Sequence, residues 1–222
     1  NDHFRYVISP GLHKPPRGIL QSFVNVIGGK EEKRKRLLTI IKASNKEQRI
    51  LVFCNKIATM ESIRSYLKMN GIMHYSWEKE ESKLRKQPLS CKPNEMYDCI
   101  HGYLTVLKRK EIIDEFNEHK FTILLASGLT GRGMDFGGGV ELVVLYDMPK
   151  NPVDYLHRIG RSARAFSPGK SIAFVTGMAR KMAFEIQRFG SRNRRICGSL
   201  RTTVCRRKKS FKKISFKSNN TN

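Results

Sequence analysis

The feature that most constrains this fold is a repeated alternation of short apolar runs and longer stretches with helical periodicity. Residues 49–54, 121–126 and 140–146 are apolar runs of the length that a buried strand requires. Around them, apolar residues recur at the spacing of amphipathic helices. Because repeated strand–helix units close as a parallel sheet covered by helices, the sequence predicts an α/β fold with a mostly parallel central sheet of about six strands and helices on both faces.

The same periodicities predict the other elements. Further strands are expected at residues 19–27 and 171–175, and helices at residues 31–43, 59–70, 105–119, 152–159 and 178–189. Residues 1–18 are rich in proline and glycine and are interpreted as an entering linker. In parallel sheets, ligands gather at the carboxyl ends of the strands. The loops after Cys54, Ile100, Ala126 and Tyr146 are therefore expected to share one rim.

A second constraint is the strong and uneven positive charge. The chain of 222 residues has 43 Lys and Arg against 19 Asp and Glu, a formal net charge of +24. Such a field attracts polyanions, and nucleic acid is the leading candidate. No acidic residue follows Glu185. Residues 190–222 are interpreted as a basic irregular tail that binds nucleic acid, with an inert solvated segment as the alternative. Its densest charges are Arg206, Arg207, Lys208 and Lys209.

Cysteine usage and hydropathy argue against several classes of protein. The five cysteines form no C-x-x-C pair, so no metal site is expected, and a reducing intracellular compartment fits. No apolar run is long enough to span a bilayer and no signal peptide is visible, so no membrane association is expected. The first residue is Asn1 rather than Met, which is consistent with a portion of a longer protein.

Five short segments carry chemistry-bearing residues in a recognisable order. They read V-F-C-N at residues 52–55, H-G-Y-L at 101–104, A-S-G-L-T-G-R-G-M-D at 126–135, D-M-P at 147–149 and H-R-I-G-R-S-A-R at 157–164. The guanidinium forks of the last segment suit phosphate oxygens. In this order, within residues 19–189, the segments resemble the second RecA-like domain of the DEAD-box RNA helicases. The resemblance implies a RecA-like helicase C-terminal fold.

The resemblance implies one set of residues for ATP. Arg161 and Arg164 would reach the γ-phosphate, where they would stabilise developing charge. Gly133 and Asp135 would contact the nucleotide, with the carboxylate accepting hydrogen bonds from ribose hydroxyls; a turn cap is the alternative for Asp135. His157 would couple the ATP and RNA sites. ATP and Mg²⁺ would be held mainly by a first RecA-like domain, in cis or in trans, because the chain has no phosphate-binding loop and no D-E-A-D run.

A second set of residues is implied for RNA, single-stranded or ribosomal. Ser127 would offer a hydroxyl to a phosphate, Gly102 would allow close approach of the backbone, and Arg109 would face a phosphate. An exposed ion pair with Glu115 or with a neighbouring acid is the alternative for Arg109. Contacts of this kind do not read sequence. The residues expected on one rim are Ser127, Asp135, His157 and Arg161.

Departures from the family pattern leave two hypotheses open. Gly128, Val106 and Ala163 replace the family's Asp, Gln and Gly, and residues 75–97 are expected to form a surface insertion. The first hypothesis is the C-terminal half of an ATP-dependent RNA helicase that remodels RNA in a large ribonucleoprotein or ribosome-assembly particle. The second is a catalytically degenerate domain that acts as an RNA-bound assembly factor. A mitochondrial setting with particle proteins as partners is expected, with nucleolus or cytoplasm as alternatives.

Overall fold

The computed structural model describes residues 18–86, 92, 95–127, 135–137, 139–162, 169–177 and 179–191, without the side chains of 77, 78 and 188–191. The strands are β1 (Ile19–Asn25), β2 (Ile50–Cys54), β3 (Met73–His74), β4 (Met96–Ile100), β5 (Ile123–Ser127), β6 (Leu142–Leu145) and β7 (Gly169–Val175). The helices are α1 (Gly29–Ala43), α2 (Ile57–Met69), α3 (Tyr75–Arg85), α4 (Val106–Asn117), α5 (Pro152–Ile159) and α6 (Ala179–Ser191).

The strands form one parallel sheet of seven strands in the order β1-β7-β6-β2-β5-β4-β3. Every neighbouring pair is parallel. Strands β2, β4, β5 and β6 are buried along their whole length, as expected of strands covered on both faces. The predicted fold class is therefore confirmed.

Helices cover both faces of the sheet because the strands bury side chains alternately to either side. On one face, Leu37 of α1 and Ile63 of α2 belong to a core that includes Val52 of β2. On the other face, the core around Phe53 includes side chains of α3, α4, α5 and α6. The helix residues of this second core are Tyr75, Ile112, Ile113, Phe116, Tyr155, Leu156, Ile159, Ala183 and Ile186.

The expectation that residues 75–97 form a surface insertion is wrong at both ends. Tyr75 begins α3 and is buried in the core, and Tyr97 lies in β4 and is fully buried. The preceding strand β3 pairs with β4 and adds an edge to the sheet. The apolar pattern of β4 is interrupted by Asp98, whose buried carboxylate accepts hydrogen bonds from Ser76 Oγ (2.5 Å) and Cys99 N (2.6 Å). Because the charged Asp98 interrupts the apolar run at residues 96–100, the sequence pattern did not indicate a strand there.

None of the helices among the described residues is long and apolar enough to cross a membrane. No group of three or more His, Cys, Asp and Glu side chains in that part of the chain could hold a metal ion. Cys54 and Cys99, which lie on β2 and β4, are buried free thiols.

Candidate functional site

The carboxyl edge of the sheet gathers the loops that follow β2, β4 and β5. Cys54 is paired with Ser127, and Ile100 is paired with Ala126. This register places Asn55, His101 and Ser127 side by side at the edge. Because all strands are parallel, the loop after β6 opens at the same edge. The prediction that these strand-end loops share one rim is confirmed.

Asp147, directly after β6 and Tyr146, ties several elements together at this edge. Its Oδ1 accepts a hydrogen bond from Lys33 Nζ of α1 at 2.7 Å, and its Oδ2 accepts one from Asn55 N at 3.1 Å. Its carbonyl oxygen accepts one from Arg158 Nη1 of α5 at 3.4 Å, and the Arg158 guanidinium lies over the Phe53 ring. The family resemblance gave Asp147 no role of its own. The signal for this role in the sequence is a charged residue that closely follows a buried strand.

A basic cleft of about 700 Å³ opens beside Asp147. Its lining includes the amino ends of α1 and α2, neither of which has a side-chain cap. Uncapped backbone N–H groups and the helix dipole favour anions at the start of α2, whose first turn has no acidic residue, whereas α1 carries Glu31 and Glu32 in its first turn. The exposed Lys30 and Lys56 also favour anions in the cleft. Residues that line the cleft include Gly29, Lys30, Lys33, Asn55, Lys56 and Thr59. Sequence reasoning missed the cleft because its residues come from separate segments.

A second group of candidate residues lies at the opposite, amino edge of the sheet, where Arg49 is almost fully buried just before β2. Arg49 Nη2 donates to Gly139 O at 2.7 Å, and Nη1 donates to Asn117 Oδ1 at 3.2 Å. Asn117 Nδ2 in turn donates to Asp135 O at 3.4 Å. Burial alone would raise the pKa of Glu141, but the Arg49 backbone hydrogen bond and guanidinium outweigh burial and hold that pKa below its ordinary value. Asp135 therefore lies near the amino edge.

Arg161 lies at the same end of the domain as Asp135. Helix α5 begins at the carboxyl edge, where Asn151 caps it by accepting a hydrogen bond from Asp154 N at 2.8 Å and Pro152 occupies its first turn. The helix then crosses the sheet, and Arg161 O accepts a hydrogen bond from Val140 N at 2.8 Å, just before β6. The Arg161 residue is half-buried.

The expectation that Ser127, Asp135, His157 and Arg161 share one rim is therefore wrong. Ser127 ends β5 at the carboxyl edge, whereas Asp135 and Arg161 lie at the amino edge. His157 is exposed on α5, one turn before Arg161. The physical reason is that α5 runs from the carboxyl edge back to the amino edge, so Arg161, which follows the end of α5, lies far from the loops at the strand ends.

Two alternatives left open by the sequence are resolved by local contacts. Asp135 is exposed, and its Oδ1 accepts a hydrogen bond from Gly137 N at 3.1 Å, so the carboxylate does cap a turn. A carboxylate retains further acceptor sites after one such bond. Glu115 pairs with Lys79 of α3, so the alternative in which Glu115 pairs with Arg109 is wrong.

The residues that are expected to contact RNA differ in their exposure to solvent. Gly102 is exposed, and a Cβ there would meet nothing within 4 Å. Arg109 of α4 is half-buried, and its Nε has no hydrogen-bond partner among the described residues. Ser127 is only 2% exposed, so its role as a phosphate donor stays a prediction. Several predicted site residues lie outside the described residues, namely Gly133, Arg164, Arg206, Arg207, Lys208 and Lys209. The departures Gly128 and Ala163 also lie outside them.

The chain is similar in sequence and fold to known proteins. The helicase conserved C-terminal domain family matches residues 32–166. The chain is 29% identical over 199 residues to DEAD-box ATP-dependent RNA helicase 39 of Arabidopsis thaliana, covering 88% of this chain and 28% of that protein. It is 42% identical over 79 residues to ATP-dependent rRNA helicase RRP3 of Encephalitozoon cuniculi, covering 36% and 20%. A crystal structure of a DEAD box protein from Methanococcus jannaschii matches with a TM-score of 0.58 and 29% identity, covering 78% and 40%.

The parallel sheet, its strand order and the ordered motifs define a RecA-like helicase domain. The chain belongs to the helicase conserved C-terminal domain family, and its predicted resemblance to the second RecA-like domain of DEAD-box RNA helicases is confirmed. It spans 28% and 20% of the length of the two curated relatives.

Proposed function

We propose that this domain is the C-terminal half of an ATP-dependent RNA helicase that binds and remodels RNA. The observation that carries the proposal is the separation of two groups of family motifs at opposite edges of one sheet. Asp135 and Arg161 lie at the amino edge, and the loops with Asn55, His101 and Ser127 lie at the carboxyl edge. One rigid sheet thus connects a candidate nucleotide surface to a candidate RNA surface.

The residues at the amino edge fit a nucleotide. Asp135 presents an exposed carboxylate that can accept hydrogen bonds from ribose hydroxyls, and Arg161 supplies a guanidinium for phosphate. The buried Arg49 holds this edge in place by three contacts, to Asn117, Gly139 and Glu141. ATP supplies the transferable phosphoryl group when bound. A first RecA-like domain, in cis or in trans, would hold ATP and Mg²⁺ for the most part.

The carboxyl edge fits the backbone of RNA. Lys30 and Lys56 are exposed at the mouth of the basic cleft, and Arg109 lies in the first turns of α4. Positive side chains and uncapped helix ends bind phosphates without reading sequence. The exposed His157 lies on α5 between the two edges. That position supports its proposed role in coupling them.

A second candidate function is a degenerate domain that acts as an RNA-bound assembly factor. Val106 supports it, because this 73%-exposed apolar side chain stands where the family pattern has Gln. For the setting we propose a ribosome-assembly particle, since a relative is named an rRNA helicase. Particle proteins would then be partners, in the mitochondrion or alternatively in the nucleolus or cytoplasm.

Steady-state ATP hydrolysis by the full-length protein, with and without single-stranded RNA, separates the two functions. For a working helicase we expect RNA to stimulate hydrolysis. Arg161→Ala and Arg164→Ala should each lower the stimulated rate by about a thousandfold, because arginines at the γ-phosphate stabilise transition-state charge. Arg85→Ala, which removes an exposed arginine of α3 that pairs with Glu81, is the matched control and should leave the rate unchanged. No stimulation in the wild type, together with normal particle assembly in the Arg164→Ala variant, would reject the enzymatic function.

A further inference from the structure

An exposed apolar patch marks the start of α4. Tyr103 is 86% exposed, Val106 is 73% exposed and Leu107 is 81% exposed. Val106 and Leu107 begin α4, and Tyr103 lies in the short turn that leads into the helix, so the three exposed side chains fall within five consecutive residues. We call these three residues the Tyr103 patch. Scattered exposed apolar residues are ordinary, but adjacent large ones with polar surroundings mark a binding surface.

The backbone presents the Tyr103 patch in a defined position at the carboxyl edge. Leu104 N donates to His101 O at 3.2 Å, which closes the turn after β4, and Leu104 packs against the core. Thr105 caps α4 by accepting a hydrogen bond from Lys108 N at 3.2 Å. The Tyr103 ring meets His101 edge-on at 6.0 Å. The patch therefore follows the end of β4 at the carboxyl edge, where β4 pairs with β5.

The surroundings of the patch are basic, which indicates the chemistry of its occupant. Lys108, Arg109 and Lys110 follow the patch directly along α4. His101 Nδ1 and Arg109 Nε are buried without a hydrogen-bond partner among the described residues. Buried polar atoms without partners call for an explanation such as a missing ligand. Apolar planar surface next to clustered positive charge is the combination that binds single-stranded nucleic acid, through stacked bases and neutralised phosphates.

We propose that Tyr103 stacks on an unpaired base of the RNA strand bound at the carboxyl edge, with Val106 and Leu107 packing beside that base. The proposal rests on the proposed RNA-binding function and goes beyond contact with the phosphate backbone. Stacking tolerates any base because every base has a π-face. The domain would therefore discriminate unpaired from paired RNA at this position without selecting a sequence.

The test is binding of single-stranded RNA to the full chain, measured by fluorescence anisotropy. Tyr103→Ala should weaken binding by about tenfold, within the range measured for stacked bases, whereas Tyr103→Phe keeps the ring and should bind as the wild type does. The slope of affinity against salt should be the same for all three proteins, because no phosphate contact is lost. Phe184→Ala is the matched control, since Phe184 is a 64%-exposed aromatic residue on α6.

Abasic RNA of the same length provides an independent readout. Wild-type protein should lose about as much affinity on abasic RNA as it loses through Tyr103→Ala on intact RNA, and the variant should lose little more on abasic RNA. If Tyr103→Ala binds RNA as tightly as the wild type, the stacking proposal alone is overturned. The same holds if the losses of affinity from Tyr103→Ala and from abasic RNA add in full. Either result would point to a protein partner on the patch. Absence of salt-dependent RNA binding by the wild-type chain would overturn the proposed function as well.

Discussion

At the scale of single residues, Asp98 and His74 form a buried acid–base contact beside β3 and β4. His74 Nε2 lies 3.4 Å from Asp98 Oδ1, and Asp98 is 2% exposed. Burial raises the pKa of Asp98 to about 6, although hydrogen bonds from Ser76 and Cys99 N act in the opposite direction. Burial and the nearby charge of Arg64 lower the pKa of His74 to about 4. The two groups therefore affect stability in opposite directions over the same pH range.

Asp98→Asn should remove one of these two opposing effects of pH on stability and leave that of His74. With its pKa raised, Asp98 contributes stability below about pH 4 that is lost as pH rises through about 6. With its pKa lowered, His74 contributes stability above about pH 6.5 that is lost as pH falls through about 4. Between these values the two effects offset each other in the wild type. Without Asp98, the free energy of unfolding should increase between pH 4 and pH 6.5 by on the order of 2 kcal/mol more than it does in the wild type.

Urea unfolding at a series of pH values measures this difference. Glu61→Gln, which removes a half-buried carboxylate on α2 that pairs with Arg64, is a control for loss of negative charge near His74. Parallel pH profiles for the wild type and Asp98→Asn would contradict the prediction, because they would mean that Asp98 does not titrate in this range.

At the scale of elements, the start of β7 is seated directly on the turn that ends α5. An ideal Cβ on Gly169 would lie 1.9 Å from Ser162 O and 2.4 Å from Ser162 C. The Ser162 hydroxyl donates to Ile159 O at 2.7 Å, which fixes that turn. Because Arg161 precedes Ser162, the close approach of β7 also positions the candidate ATP-contacting arginine.

Gly169→Ala should therefore destabilise the domain by about 3 kcal/mol or more, since backbone atoms rather than a flexible side chain must move. Gly102→Ala is the matched control, because a Cβ at Gly102 meets nothing within 4 Å. Chemical denaturation of the two variants tests the difference. If Gly169→Ala unfolds at the same urea concentration as Gly102→Ala, the contact between β7 and the α5 turn is looser than described.

At the scale of the whole molecule, the predictable part of the fold is the part with uninterrupted patterns. The runs that became β2, β5 and β6 are continuous and apolar, so the sheet could be predicted, whereas β3 is too short and Asp98 interrupts β4. The strand-end rule placed the loop at Ser127 correctly. It failed for Asp135 and Arg161, because neither residue directly follows a strand. The Asp147 contacts and the basic cleft join distant segments and could not be predicted from local patterns.

The charge of the whole chain leads to a prediction about salt. Deleting residues 201–222 removes eight Lys and Arg from a chain that has no acid after Glu185. If these residues contact phosphates, each lost contact should lower the slope of log affinity against log salt by about 0.7 for single-stranded RNA.

A variant in which a Gly-Ser segment of equal length replaces residues 201–222 controls for chain length, and circular dichroism checks that both proteins fold. The Tyr103→Ala variant should lose affinity at an unchanged slope, so the two effects are separable in one titration series. An unchanged slope after the deletion would mean that the basic residues bind another partner, such as an acidic protein surface.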